Sequence, residues 1–87
     1  MLIYGVGDAG EAALIQLRAR GFKVYYFIDD RAEGTFCGLP IIHTTDLKPT
    51  FAVPDMIPIC VSEGKFHTIK VQLNALGFNR VERILGD

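Results

Sequence analysis

Leu2-Ile3-Tyr4-Gly5-Val6-Gly7-Asp8-Ala9-Gly10 is the stretch on which the fold turns. A short apolar run enters a Gly-x-Gly-x-x-Gly turn, and Asp8 to Arg20 beyond it reads as a helix with Ala13, Leu14 and Leu17 on its apolar face. Gly21 supplies the stop. Between a strand and a helix, the first glycine of such a motif makes the tight turn and the second lets backbone approach a pyrophosphate. The third packs helix on strand. The helix start adds amide donors and about half a positive charge, which suits a phosphate. The expected cofactor contacts on this turn are Gly5, Gly7, Asp8, Ala9 and Gly10.

Outward from the turn, Lys23 to Asp29 is a β-branched and aromatic run without polar alternation, the pattern of a strand buried on both faces of a parallel sheet. It closes on Asp29 and Asp30, 19 and 20 residues after Gly10, where an acid that holds ribose hydroxyls is expected. Residues 31–38 read as a loop, Leu39 to Ile42 as a short edge strand that tolerates Pro40, and Thr44 to Lys48 as one helical turn. Met56 to Val61 is another apolar strand with an irregular start at Pro58. Lys65 to Leu76 is a helix carrying Phe66, Ile69, Leu73 and Leu76 at helical spacing, with Gly77 after it, and Val81 to Leu85 is the last strand. Alternating strands and helices imply parallel pairing with right-handed crossovers. The first strand is central, 23–29 and 57–61 flank it, and 41–42 and 81–85 are the edges. The expected fold class is α/β, a three-layer Rossmann-like half domain on a mostly parallel sheet of four or five strands.

Composition narrows the function. Nine Lys plus Arg against ten Asp plus Glu give a net charge of −1, which argues against nucleic acid or an anionic membrane surface as the partner. The longest apolar runs fall far short of the roughly 20 residues that span a bilayer, and Met1 enters an apolar segment with no basic stretch of a signal peptide. Cys37 and Cys60 have no metal-type spacing and fit free thiols in a reducing cytoplasm. Eighty-seven residues make one domain, expected to be a piece of a longer protein.

Catalytic signals are thin. Tyr4, Tyr25 and Tyr26 have an Asp rather than a Lys four positions on, and there is no Gly-x-Ser-x-Gly elbow. His43 and His67 lack a carboxylate or Cys at metal spacing. No catalytic or metal residue is therefore assigned. Ser62 and Glu63, at the end of the 57–61 strand, would face the crevice, Ser62 as a ligand hydroxyl or as a cap for the next helix. Lys65 would offer charge to a phosphate or stay solvated. Arg31 would suit a 2′-phosphate, which the preceding acids disfavour. A contrary reading rests on Asp8 and Glu11. As a D-x-x-E pair they would cap the helix, occupy its amides and repel a pyrophosphate, leaving a scaffold that binds nothing.

The run LIYGVGDAGEAALIQLRARGFKVYYFIDD, then CGLPII, then IKVQLNALGF, resembles the Rossmann-like nucleotide-binding domains of bacterial surface-sugar enzymes. These include capsular nucleotide-sugar dehydratases/epimerases and sugar acetyltransferases of the bacillosamine and sialic-acid type. Similar segments accompany FkbM-type methyltransferases, and the CoA/NAD-binding domain of redox-sensing repressors is more distant. The resemblance implies a ligand such as NAD, a UDP-sugar or CoA. It would place phosphates on Gly5, Gly7 and Gly10, and ribose or base on Asp29 or Asp30. Turnover would belong to a separate catalytic domain of the parent protein. Asp8 departs from the pattern through its repulsion of phosphate. The competing expectations are an interaction module with an empty crevice, or part of an S-adenosylmethionine methyltransferase.

Overall fold

The computed structural model describes residues 1–48, 51, 56–61 and 64–83. In chain order its elements are β1 (Leu2–Tyr4), α1 (Asp8–Ala19), β2 (Tyr26–Ile28), β3 (Thr35–Phe36), β4 (Leu39–Ile42), a 3-10 turn (Thr44–Asp46), β5 (Pro58–Cys60), α2 (Phe66–Ala75) and β6 (Glu82–Arg83). The sheet order is β3-β4-β2-β1-β5-β6, parallel throughout except for the β3–β4 pair. The protein is thus mixed α/β, with a mostly parallel six-stranded sheet and two helices.

Strand alternation divides the core in two. Leu2, Ile28 and Cys60 point to one face, where they pack with Ile69 and Leu73 of α2 and with Phe78 and Val81. Ile3, Phe27 and Ile59, each one residue away, point to the other face and meet Ala13, Leu14 and Leu17 of α1. Helices therefore cover both faces, which explains why the central strands read as continuous apolar runs. Leu2, Ile3, Phe27, Ile28 and Leu73 are fully enclosed, and burying each such side chain is worth about 1.5–3 kcal/mol.

Both helices end in the same device. Beyond α1, Gly21 N–H donates to Arg18 O and Phe22 N–H to Leu17 O; beyond α2, Gly77 N–H donates to Asn74 O and Phe78 N–H to Leu73 O. This paired pattern is the Schellman motif, which needs a left-handed residue at the glycine. Phe78 is then buried against α2's core face.

The sheet departs from expectation at its far edge. Residues 31–38 are not all loop, and the sheet has six strands rather than four or five, because β3 folds back on β4 through Cys37-Gly38. Both turn residues have positive φ, 52° and 79°, as in the mirror-image two-residue hairpin turn that follows strand twist. An L residue such as Cys37 is not the usual occupant there, which hides the hairpin from a sequence reading. Edge-to-face packing of Phe36 on Phe27, centroids 5.1 Å apart, holds the hairpin to the α1-side core. Cys37→Gly removes the left-handed cost and is expected to raise stability by roughly 1 kcal/mol. Urea denaturation checks this, and unchanged or lower stability would mean that the turn carries no such cost.

β2 is also shorter than the 23–29 run. Ahead of it, Met1 N donates to Lys23 O at 2.7 Å and Tyr25 N to Met1 O at 2.9 Å. Residues 84–87, which include Leu85 of the expected last strand, lie outside the described residues.

Candidate functional site

The glycine turn is built by two different constraints. Gly5 takes φ +121° and donates its N–H to Ile28 O at 2.8 Å, tying the end of β1 to β2. Gly10 has an ordinary backbone but no room: a Cβ there would overlap Gly5 O. The third glycine thus lets α1 start directly against the turn.

The D-x-x-E cap does not form. Gly7 occupies the capping position, Asp8 is the first helical residue, and no side chain caps the helix. An N-cap side chain must come from the residue before the first helical one, so Asp8 stands one position too late. Asp8 is exposed, and the Glu11 carboxylate instead accepts from Cys37 Sγ at 3.4 Å. Asp8 and Glu11 nevertheless place two acids on the first turn of α1.

The two aspartates at the end of β2 diverge. Asp29 is only 6% exposed. Its Oδ2 accepts from Val6 N at 3.1 Å and its Oδ1 from Arg31 N at 2.8 Å, so it clamps the glycine turn to the β2 end. The Arg31 guanidinium Nε stands 3.9 Å from Asp29 Oδ1 while the Arg31 side chain stays 89% exposed. Asp30 is exposed, and its carboxylate accepts from Thr44 N at 2.8 Å and from Thr44 Oγ1 at 2.8–2.9 Å. That grip anchors the 3-10 turn beyond β4. His43 Nε2 lies 2.7 Å from Ala32 O, so Nε2 carries a proton and donates to this carbonyl. His67 is exposed on α2.

A cleft of about 530 Å³ opens at the carboxyl ends of β1 and β2, on the α2 side of the sheet. Tyr4, Gly5, Asp29, Asp30 and Arg31 line one wall, and Lys65, Thr68, Ile69 and Gln72 the other. The structure therefore gathers Gly5, Asp29 and Asp30 from the expected set. Gly7, Asp8, Ala9 and Gly10 are not among its lining residues, and Ser62 and Glu63 lie outside the described residues. Tyr4, Thr68, Ile69 and Gln72 were not legible as site residues. The signal was present in the spacing, since 65, 68, 69 and 72 fall at i, i+3, i+4 and i+7 and make one helical stripe.

Burial, then the charges of Asp30, Asp29 and Cys60, push the Tyr4 phenol above its usual range. Burial alone raises Tyr26, whose hydroxyl has no hydrogen-bond partner among the described residues. At neutral pH both phenols are protonated. A phenol raised on folding stabilises the native state fully below its unfolded value, about 10, and that stability is lost as pH rises through the folded value. A Tyr4→Phe/Tyr26→Phe variant is expected to lose less stability than the parent as pH rises above about 10. Parallel melting curves across that range would refute the assignment.

Among the described residues no group of three His, Cys, Asp or Glu could hold a metal ion, and no helix is long and apolar enough to cross a membrane. No protein-family model matches the chain, and neither a curated protein nor a solved structure matches it.

Proposed function

We propose that this chain is a Rossmann-like half domain that binds a nucleotide or nucleotide-sugar, of the NAD or UDP-sugar kind, in a reducing cytoplasm. It serves a sugar- or polysaccharide-modifying enzyme whose catalytic groups belong to a separate domain, and it performs no turnover alone. The observation that carries this reading is the cleft at the carboxyl edge of a parallel sheet, the place where open α/β sheets take their ligands. Its parts fit the ligand class. Tyr4 and Ile69 offer apolar surface to a base, Asp30 is an exposed acceptor for ribose or base donors, and Arg31 and Lys65 offer charge to phosphates. Asp29 supports the site by holding the turn.

Amide NMR titration of the chain with NAD, a UDP-sugar, CoA and S-adenosylmethionine, each added separately, tests the reading. Saturable shifts at Gly5, Asp30 and the 65–72 stripe are expected with NAD or the UDP-sugar. Saturation by S-adenosylmethionine alone would reassign the chain to a methyltransferase. The second reading, an interaction module with an empty crevice, draws on one observation: both aspartates already hold internal donors. It predicts silence from all four compounds on a folded sample.

A further inference from the structure

The cleft has a polarity that the glycine motif does not suggest. Two helix starts lie at this edge of the sheet. The first turn of α1 carries Asp8 and Glu11, whereas the first turn of α2 carries no acid and follows Lys65 directly. Lys65 lines the cleft together with Arg31, while Gly7 to Gly10 do not. Among the described residues Lys65 has no ion-pair partner, and Arg31 makes only a 3.9 Å approach to a carboxylate that two backbone amides already engage. Two acids share the cleft lining: Asp29 holds the amides of Val6 and Arg31, and Asp30 has its carboxylate drawn to Thr44 by three short contacts. Thr68 adds a hydroxyl donor on the same wall as Lys65. An anion entering this cleft therefore meets side-chain cations, Arg31 on one wall and Lys65 on the other, and not the amides of the Gly7–Gly10 turn.

We infer that the cleft seats the phosphate end of its ligand between Arg31 and Lys65, on the α2 side of the sheet, rather than on the Gly5–Gly10 turn. The inference rests on the nucleotide-binding reading and sharpens it. The ligand class is a phosphorylated or pyrophosphorylated small molecule whose anion is recognised by side-chain cations, with its hydroxyl-bearing part toward Asp30.

The test titrates UDP, NAD and inorganic pyrophosphate into the chain and into two variants, Arg31→Gln/Lys65→Gln and Asp8→Asn/Glu11→Gln. All four positions are exposed, so the fold is kept. The expected result is binding of at least one probe to the parent chain, with amide shifts at Arg31 and Lys65–Thr68. Affinity should fall about 10-fold or more in the first variant, as expected for lost charge-assisted hydrogen bonds, and change less than about 2-fold in the second, whose acids lie outside the cleft. Binding that is unchanged in the first variant, strengthened in the second and marked by shifts at Gly7–Gly10 would overturn this seat while leaving the nucleotide reading intact. Absence of binding by any probe to the folded parent chain would overturn both.

Discussion

Asp29→Ala is expected to cost about 3 kcal/mol of folding stability, because it strands two backbone donors at once. Val6 N and Arg31 N both donate to this carboxylate, which is almost fully buried. Hydrogen bonds to a charged group are worth roughly 1.5–3 kcal/mol each, and the two share one acceptor group, so their losses do not simply add. Asn in place of Asp keeps one acceptor oxygen and turns an amide toward the other donor, so Asp29→Asn should fall between the parent chain and the alanine variant. Urea denaturation of the three proteins checks the series. A change below about 0.5 kcal/mol for alanine, the range of an ordinary surface substitution, would show that the clamp contributes nothing. The consequence for function is direct: loss of affinity in any Asp29 variant mixes a loosened glycine turn with a lost ligand contact. Asp30→Asn, at an exposed carboxylate, is the cleaner probe of recognition.

Gly10→Ala is expected to destabilise by about 1–3 kcal/mol, the range for forcing a methyl group into a packed position. The sign makes this test sharp. Alanine inside a helix is ordinarily favoured over glycine by about 1 kcal/mol, and Gly10 has no positive φ that would oppose it. The obstacle is the Gly5 carbonyl, whose oxygen a Cβ would overlap and whose carbon would lie 3.2 Å away, backbone atoms that cannot swing aside. Gly7→Ala provides the contrast. At φ +110° and ψ −165°, a region essentially reserved for glycine, with nothing within 4 Å, it meets only a backbone penalty, about 1–3 kcal/mol. Thermal or urea unfolding should therefore show both variants destabilised, and a stabilised Gly10→Ala would rule out the tight contact of α1 with the turn.

The elements themselves were largely legible. Apolar runs within 2–6, 23–29 and 56–61, with helices that end in Gly21 and Gly77, specify a parallel sheet covered on both sides, and that is the arrangement observed, with strands cut back to 2–4, 26–28 and 58–60. The order of the four parallel strands beside β1 follows from the same alternation. The β3–β4 hairpin was hidden because its turn places Cys37 in a conformation that sequence rules reserve for Asn or Gly. The strand pairing that closes this edge outweighs the local preference.

Site legibility divides differently. Spacing alone marks Gly5, Gly10, Asp29 and Asp30, since a strand–turn–helix unit and its neighbouring strand fix where those residues fall along the chain. Spacing cannot say what each carboxylate already holds. Asp29 turns inward to the glycine turn and Asp30 reaches Thr44, 14 positions away, and both partnerships exist only once β2 lies between β1 and β4. Likewise the stripe Lys65, Thr68, Ile69 and Gln72 becomes a wall only when α2 packs over the sheet. The sequence by itself determined the layers, the parallel pairing and the place of the glycine turn, because periodicity and glycine stereochemistry act over a few residues. The tertiary structure alone decided which charges face the cleft and which are bound internally, because side chains brought together from distant segments compete for the same donors.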